Sequence, residues 1–156
     1  MANCCFGSLT IDCDKALFEE IRSFVQSEEK VFDLNRIVPI PADREYDWVI
    51  DHWGTGKNVD DECLSDQGYC FTTAWSPCSL AVQTLAERYP QATFRYTYDE
   101  CGEGFCGVEE YRDGSLAYRL MQITMSFLLM MNRRMNLSSI KTSCLIQGRR
   151  LIRQYL

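Results

Sequence analysis

A chain of 156 residues has room for one domain with a real core and is cramped for two. A hydrophobic share of 46% with 24% charged residues is that of a globular protein and excludes a largely disordered chain. The formal net charge is −6, and no run reaches the ~18 apolar residues of a membrane-spanning helix, so no membrane span is expected.

In chain order, Leu9, Ile11 and Cys13 alternate with Thr10 and Asp12, which predicts a first strand. Asp14 can cap a helix over 14–26, where Leu17, Phe18, Ile21, Phe24 and Val25 recur at helical spacing. A second strand is predicted from Val31 to Val38, stopped by Pro39 and Pro41. Residues 42–68 read as a long loop of functional type with a short helix near 44–51. Tyr69, Phe71, Thr73 and Trp75 alternate with smaller residues as a third strand. Ser76-Pro77 predicts a helix start, with Cys78, Val82, Leu85 and Tyr89 as its buried stripe. Phe94, Tyr96 and Tyr98 predict a fourth strand, and Phe105 to Tyr111 a fifth. The Asp113-Gly114 turn then returns the chain as a short sixth strand over Ser115 to Tyr118.

Two split β-α-β halves are what a ferredoxin-like α+β sandwich requires: one antiparallel sheet with helices on one face. The expected organisation is such a domain over 1–114 and a basic, Met-rich helical extension over 115–156. Two amphipathic helices in that extension could pack on the sheet or join two copies as a homodimer.

Charge divides along the same line. All 22 Asp and Glu lie in 1–113 beside nine Lys and Arg, a balance of −13; residues 115–156 carry seven Lys and Arg and no acid. Two readings stand: the basic tail neutralises the acidic body, or the acidic body meets another charged macromolecule.

The opening Met1 to Cys5 has no basic segment followed by an apolar run, so no secretory signal is expected, and a cytoplasmic protein is. Nine cysteines, an odd number, then read as reduced thiols, mostly in small core positions. Cys101-x4-Cys106 and a single histidine, His52, do not make a zinc pattern, so neither a metal nor a cofactor is expected. Gly54-Thr55-Gly56-Lys57 lacks the spacing of a phosphate loop. A Cys–His nucleophile would need Cys63, Cys70 or Cys101 beside His52, and nothing in the pattern marks such a pair. An enzyme is not expected.

Trp48, Trp53, Trp75, Tyr96 and Tyr98 are candidates for a stacking or anchoring platform, against the alternative that they fill the core. An acidic body argues against direct nucleic-acid binding, which needs a positive groove. The same charge suits a basic partner, with Asp60, Asp61, Glu62, Asp99, Glu100 and Glu103 as the candidate contact residues.

Several stretches carry a family resemblance: the opening Met1 to Ile11, Asn35-Arg36-Ile37-Val38-Pro39-Ile40-Pro41, Trp53-Gly54-Thr55, Thr73-Ala74-Trp75-Ser76-Pro77, and Tyr98-Asp99-Glu100 through Gly104-Phe105. Over roughly residues 1–114 the chain resembles the YubB-like family of small plasmid- and phage-borne proteins with a ferredoxin-like domain. It departs where Cys4, Cys78 and Gly56 stand, and the basic tail has no counterpart. The resemblance implies a bacterial host cell and an accessory role without an established reaction. The expectation is a non-enzymatic mobile-element protein, of the kind that inhibits a CRISPR-type host defence, occluding a host protein with a basic nucleic-acid-binding surface. The alternative is a small-ligand or nucleotide-binding module at Trp53, Gly54, Thr55 and Trp75.

Overall fold

Residues 3–43 and 46–123 are described by the computed structural model. In order they form β1 (Cys4–Asp12), α1 (Lys15–Val25), α2 (Leu34–Ile37), α3 (Tyr46–Trp53), β2 (Asp60–Ser65), β3 (Gly68–Ala74), α4 (Ser79–Arg88), β4 (Thr93–Glu100), β5 (Phe105–Arg112) and β6 (Ser115–Ile123).

One six-stranded sheet has the order β2-β3-β1-β4-β5-β6, with every neighbouring pair antiparallel. The first four strands in that order are the interleaved β-α-β halves of a ferredoxin-like domain. The β5–β6 hairpin extends the sheet beyond β4. Asp113 and Gly114 both have positive φ at its turn, as a two-residue hairpin of this hand demands.

The pleat sorts side chains by parity. Cys5, Gly7, Leu9 and Ile11 of β1 face inward with Tyr69 and Phe71 of β3 and Phe94, Tyr96 and Tyr98 of β4. Ile21 and Val25 of α1 and Ala81, Val82, Leu85 and Ala86 of α4 cover them in one core. Leu9 is the direct partner of both Tyr69 and Tyr96, so the core's centre is aromatic. Gly7 makes this packing possible, since a Cβ there would meet the Phe71 ring at 2.8 Å and the Tyr96 ring at 3.0 Å.

Helix α1 starts as the sequence predicts: the Asp14 side chain accepts from the Leu17 N–H at 2.9 Å. The strand expected over 31–38 does not form. Asp33 instead caps the four-residue α2, accepting from the Asn35 N–H at 2.9 Å, and Leu34 and Ile37 go inward one helical turn apart. Phe32 still reaches the core, stacked on Phe71 at 4.9 Å between centroids. The true second strand is β2, inside the stretch expected to be a loop. It is an edge strand rich in carboxylates, with no apolar alternation to reveal it.

Helix α4 begins at Ser79, not at the expected Ser76-Pro77. The Ser76 hydroxyl donates to the Gly54 carbonyl at 2.6 Å and so does not cap the helix. Strand β6 runs to Ile123, past the expected end at Tyr118, so Leu120, Met121 and Ile123 are strand residues and not the start of a helix. The rest of the expected helical extension, and dimerisation through it, fall outside the described residues. Among the described residues no helix is long and apolar enough to cross a membrane.

Candidate functional site

Among the described residues, the face of the sheet opposite α1 and α4 carries the most distinctive surface. Strand register places Asp60, Thr72, Phe6, Asp99 and Cys106 in one row across β2, β3, β1, β4 and β5. Asp60 and Asp99 are thus three strand spacings apart, roughly 14 Å. Between them Phe6 is 56% exposed, on the outward parity of β1. Two acidic groups far apart in sequence, at Asp60 and Asp99, therefore flank one exposed aromatic ring.

Local irregularity sharpens this end. The β2–β3 register slips between Asp60 and Cys63, and Asp61 has φ of 50°, so the bulge turns its side chain back along the sheet. The Thr72 hydroxyl donates to the Asp60 carbonyl at 3.1 Å and to the Asp61 carboxylate at 3.3 Å. Asp60 pairs with Lys57 and, at 3.9 Å, with Lys30; Glu62 pairs with Lys30 at 3.4 Å. The Lys57 ammonium is held above its ordinary range, first by its hydrogen bond to Asp60. Asp61, Asp99 and Glu103 are exposed, and among the described residues no Lys or Arg makes an ion pair with them. Negative charge at this end is therefore carried mainly by those three.

Glu100 is not part of that surface. Its side chain is fully buried, and its two carboxylate oxygens accept from the N–H groups of Gly102, at 3.1 Å, and Glu103. Its own carbonyl accepts from Gly104 at 2.9 Å. Glu100 shapes the β4–β5 turn, its charge compensated by backbone donors.

Of the four residues expected to hold a ligand, three are built into the fold. Trp53 is buried and donates its indole N–H to the Val38 carbonyl at 2.9 Å. Thr55 is buried and donates to the Ala74 carbonyl at 2.9 Å. Gly54, at φ of 86°, packs so closely that a Cβ would meet the Pro77 carbonyl oxygen at 2.9 Å. Together with the Ser76–Gly54 bond they clasp the α3–β2 link to the β3–α4 link.

Trp75 alone turns outward, 48% exposed, with a backbone φ of 69°. A γ-turn bond from the Ser76 N–H to the Ala74 carbonyl, 2.8 Å, and a bond from its own N–H to the Asn3 carbonyl, 2.9 Å, hold it there. Asn3 in turn lies against the 101–104 turn, where a Cβ on Gly102 would strike its side chain. The exposed indole thus belongs to the end of the sheet that carries Asp99 and Glu103.

Residues 52–123 match the family model of the ferredoxin-like domain in Api92-like protein. The matched span of this ferredoxin-like domain opens in α3 and closes with β6, so it includes the Trp53–Thr55 clasp and Trp75. The fold is also similar to the crystal structure of a protein api92 from Yersinia pseudotuberculosis, with a TM-score of 0.50 and 14% identity. That match covers 58% of this chain and 39% of that one. The chain therefore aligns with well under half of that protein, and at this identity the likeness concerns the fold. No curated protein matches the chain.

Other expected groups are dispersed. His52 is exposed on α3, stacked on Trp48 at 4.0 Å between centroids, its Nδ1 2.8 Å from the Trp48 carbonyl. No group of three His, Cys, Asp or Glu side chains is placed to hold an ion among the described residues. Cys5 and Cys78 lie in the core, where burial pushes their thiols up to about 11 and about 12.

Sequence reasoning missed Phe6 because it begins the first strand at Leu9; carrying the alternation back to Cys4 would have marked Phe6 as outward. It also missed Glu109, a buried carboxylate that accepts from Ser79 Oγ at 3.0 Å, Tyr98 OH at 3.4 Å, Tyr111 OH at 2.6 Å and Arg119 Nε at 2.9 Å. Both oxygens are occupied by the protein's own donors, so this is a structural node tying β4, β5, β6 and α4 together.

Proposed function

We propose that this chain is a non-enzymatic binding protein whose acidic sheet end docks on a basic, nucleic-acid-handling surface of a partner protein. The observation that carries the reading is Phe6, a bare aromatic ring in a row between Asp60 and Asp99. Interfaces draw their affinity from a few aromatic anchors inside a polar rim, and complementary charge steers the encounter. Asp61, Asp99 and Glu103 supply that rim, and Trp75 a second anchor. The partner's groove would be denied to nucleic acid while occupied. Inhibition of a CRISPR-type host defence by a phage or plasmid protein is one setting for such occlusion; it rests on the family resemblance and the charge. A small-ligand site at Trp53, Gly54, Thr55 and Trp75 is less well supported, since only Trp75 offers a free side chain.

The test is capture from a lysate of the source cells by full-length protein at low and moderate salt, with Phe6→Ala and Trp75→Ala alongside. A basic partner retained by the wild type, weakened by salt and lost from either variant supports the reading. A partner held equally by all three proteins, or held regardless of salt, overturns it.

A further inference from the structure

Eight cysteines are described, all free thiols, and they are not equivalent. Cys63 on β2 and Cys70 on β3 are direct cross-strand partners, and both are exposed. Directly opposed residues of an antiparallel pair share a face, with Cα atoms about 4.5 or about 5.5 Å apart according to their place in the ladder. Either spacing falls within the roughly 4.4–6.8 Å that a disulfide spans. The Cβ atoms must close by up to about 1 Å for the bond to form. That movement falls on a strand that, among the described residues, has no neighbour on its outer side, next to the Asp60–Cys63 register slip. A two-residue turn, Asp66-Gln67, joins the strands and keeps the pair in register; the Cys70 thiol, 3.7 Å from Ser8 of β1, turns toward β2 when the link forms.

We infer that Cys63 and Cys70 are a reversible dithiol–disulfide site that fastens the β2 edge to the sheet. The oxidant is a low-molecular-weight disulfide of the glutathione type. One protein thiolate attacks a sulfur of that disulfide, forming a mixed disulfide and releasing one small thiolate. The second protein thiolate then attacks the protein-side sulfur, expelling the other. Two protein thiols and one small disulfide become one protein disulfide and two small thiols, so electrons and protons balance.

The remaining exposed or half-exposed thiols are less suited. The cross-strand partner of Cys4 is Ala74. Cys101 donates to the Asp99 carboxylate at 3.1 Å, and that bond and charge raise its pKa. Cys106 is raised by partial burial and then by the same Asp99. Cys70 lies 3.7 Å from the Ser8 hydroxyl on the outward face, open to small molecules. The cross-link would hold the strand that bears Asp60, Asp61 and Glu62, but its formation does not depend on any partner.

The experiment treats full-length reduced protein with oxidised glutathione, quenches with alkylating agent and maps unreduced peptides by mass spectrometry. Expected are peptides joined through Cys63 and Cys70, released by dithiothreitol and absent from Cys63→Ser and Cys70→Ser. Amide exchange along β2 should slow in the oxidised wild type and not in the variants. Stable glutathione adducts on either residue without the link, a link from either to a different cysteine, or an unreacted pair would each overturn the assignment. Both side chains are exposed, so the serine variants keep the fold.

Discussion

Arg119 on β6 crosses the strand gap to its register partner Glu109 on β5, Nε to Oε1 2.9 Å, placing a half-exposed guanidinium on a buried carboxylate. Partial burial, the largest single influence, works against the Arg119 charge, but Glu109 together with Tyr111 and Tyr98 outweighs it, and the Arg119 pKa is raised. Replacing Arg119 by Met leaves the carboxylate buried with hydroxyl donors only. Because the guanidinium is half exposed, the cost falls below that of a fully buried pair, about 1–2 kcal/mol. Urea unfolding should show that loss, and Glu109→Gln in the same chain should recover part of it.

The same node sets an alkaline limit. Burial first, then Glu109, pushes the Tyr98 phenol from 10.0 up to about 12, and the same two causes push Tyr111 higher still. A phenol raised on folding contributes stability that is whole below its unfolded value and is lost as pH rises through the folded one. Stability should therefore fall between pH about 10 and about 12. Denaturant midpoints across that window should drop less steeply for Tyr98→Phe than for the wild type; an identical slope would separate Tyr98 from the effect.

Glu100 closes the β4–β5 turn. In Glu100→Ala the N–H groups of Gly102 and Glu103 lose their acceptor inside the fold. The expected loss is about 2–3 kcal/mol, since charge-assisted bonds to buried amides are lost together. Thermal unfolding checks the size, and Asp99→Ala, on the exposed side of the same strand, should cost far less.

Trp75 separates backbone from side chain. Both Trp75→Ala and Trp75→Gly remove the indole, but only glycine adopts a φ of 69° without steric cost. The glycine variant should be more stable than the alanine variant by about 1 kcal/mol. Both should lose partner binding alike if the indole is an anchor. Paired urea melts and capture assays read the two effects independently.

Charge at the sheet end should act on rate. Asp61→Asn with Asp99→Asn is expected to slow association with a basic partner about tenfold at low salt, with little change at high salt. Stopped-flow association at two ionic strengths measures this directly, and equal slowing at both would point to a lost contact instead.

Elements with a strong local signal were legible. Asp14 capping α1, the aromatic alternation of β3 and β4, and the Asp113-Gly114 hairpin each follow from a few adjacent residues. The failures share one cause. β2 consists largely of carboxylates and Cys63, and it is a strand because β3 offers it a hydrogen-bonding edge. The 31–38 stretch alternates as a strand would, yet Asp33 and Asn58 convert it to a capped turn: the Asn58 amide donates to Asp33 at 2.7 Å and its oxygen accepts from Leu34 at 3.0 Å. That partner lies 24 and more residues away, outside any local window.

The candidate site divides in the same way. Composition alone placed every carboxylate before residue 114 and made the body acidic, and residue type alone made Trp53 and Trp75 notable. Only the folded sheet decided that Glu100 and Trp53 turn inward while Asp99 and Trp75 turn outward, because facing is set by strand parity and by which backbone groups need a partner. Only the strand order put Asp60, Phe6 and Asp99 in one row and set Cys63 opposite Cys70. Sequence determines local preference and total charge; neighbourhood across strands arises from long-range hydrogen bonding, which the order of residues along the chain does not display.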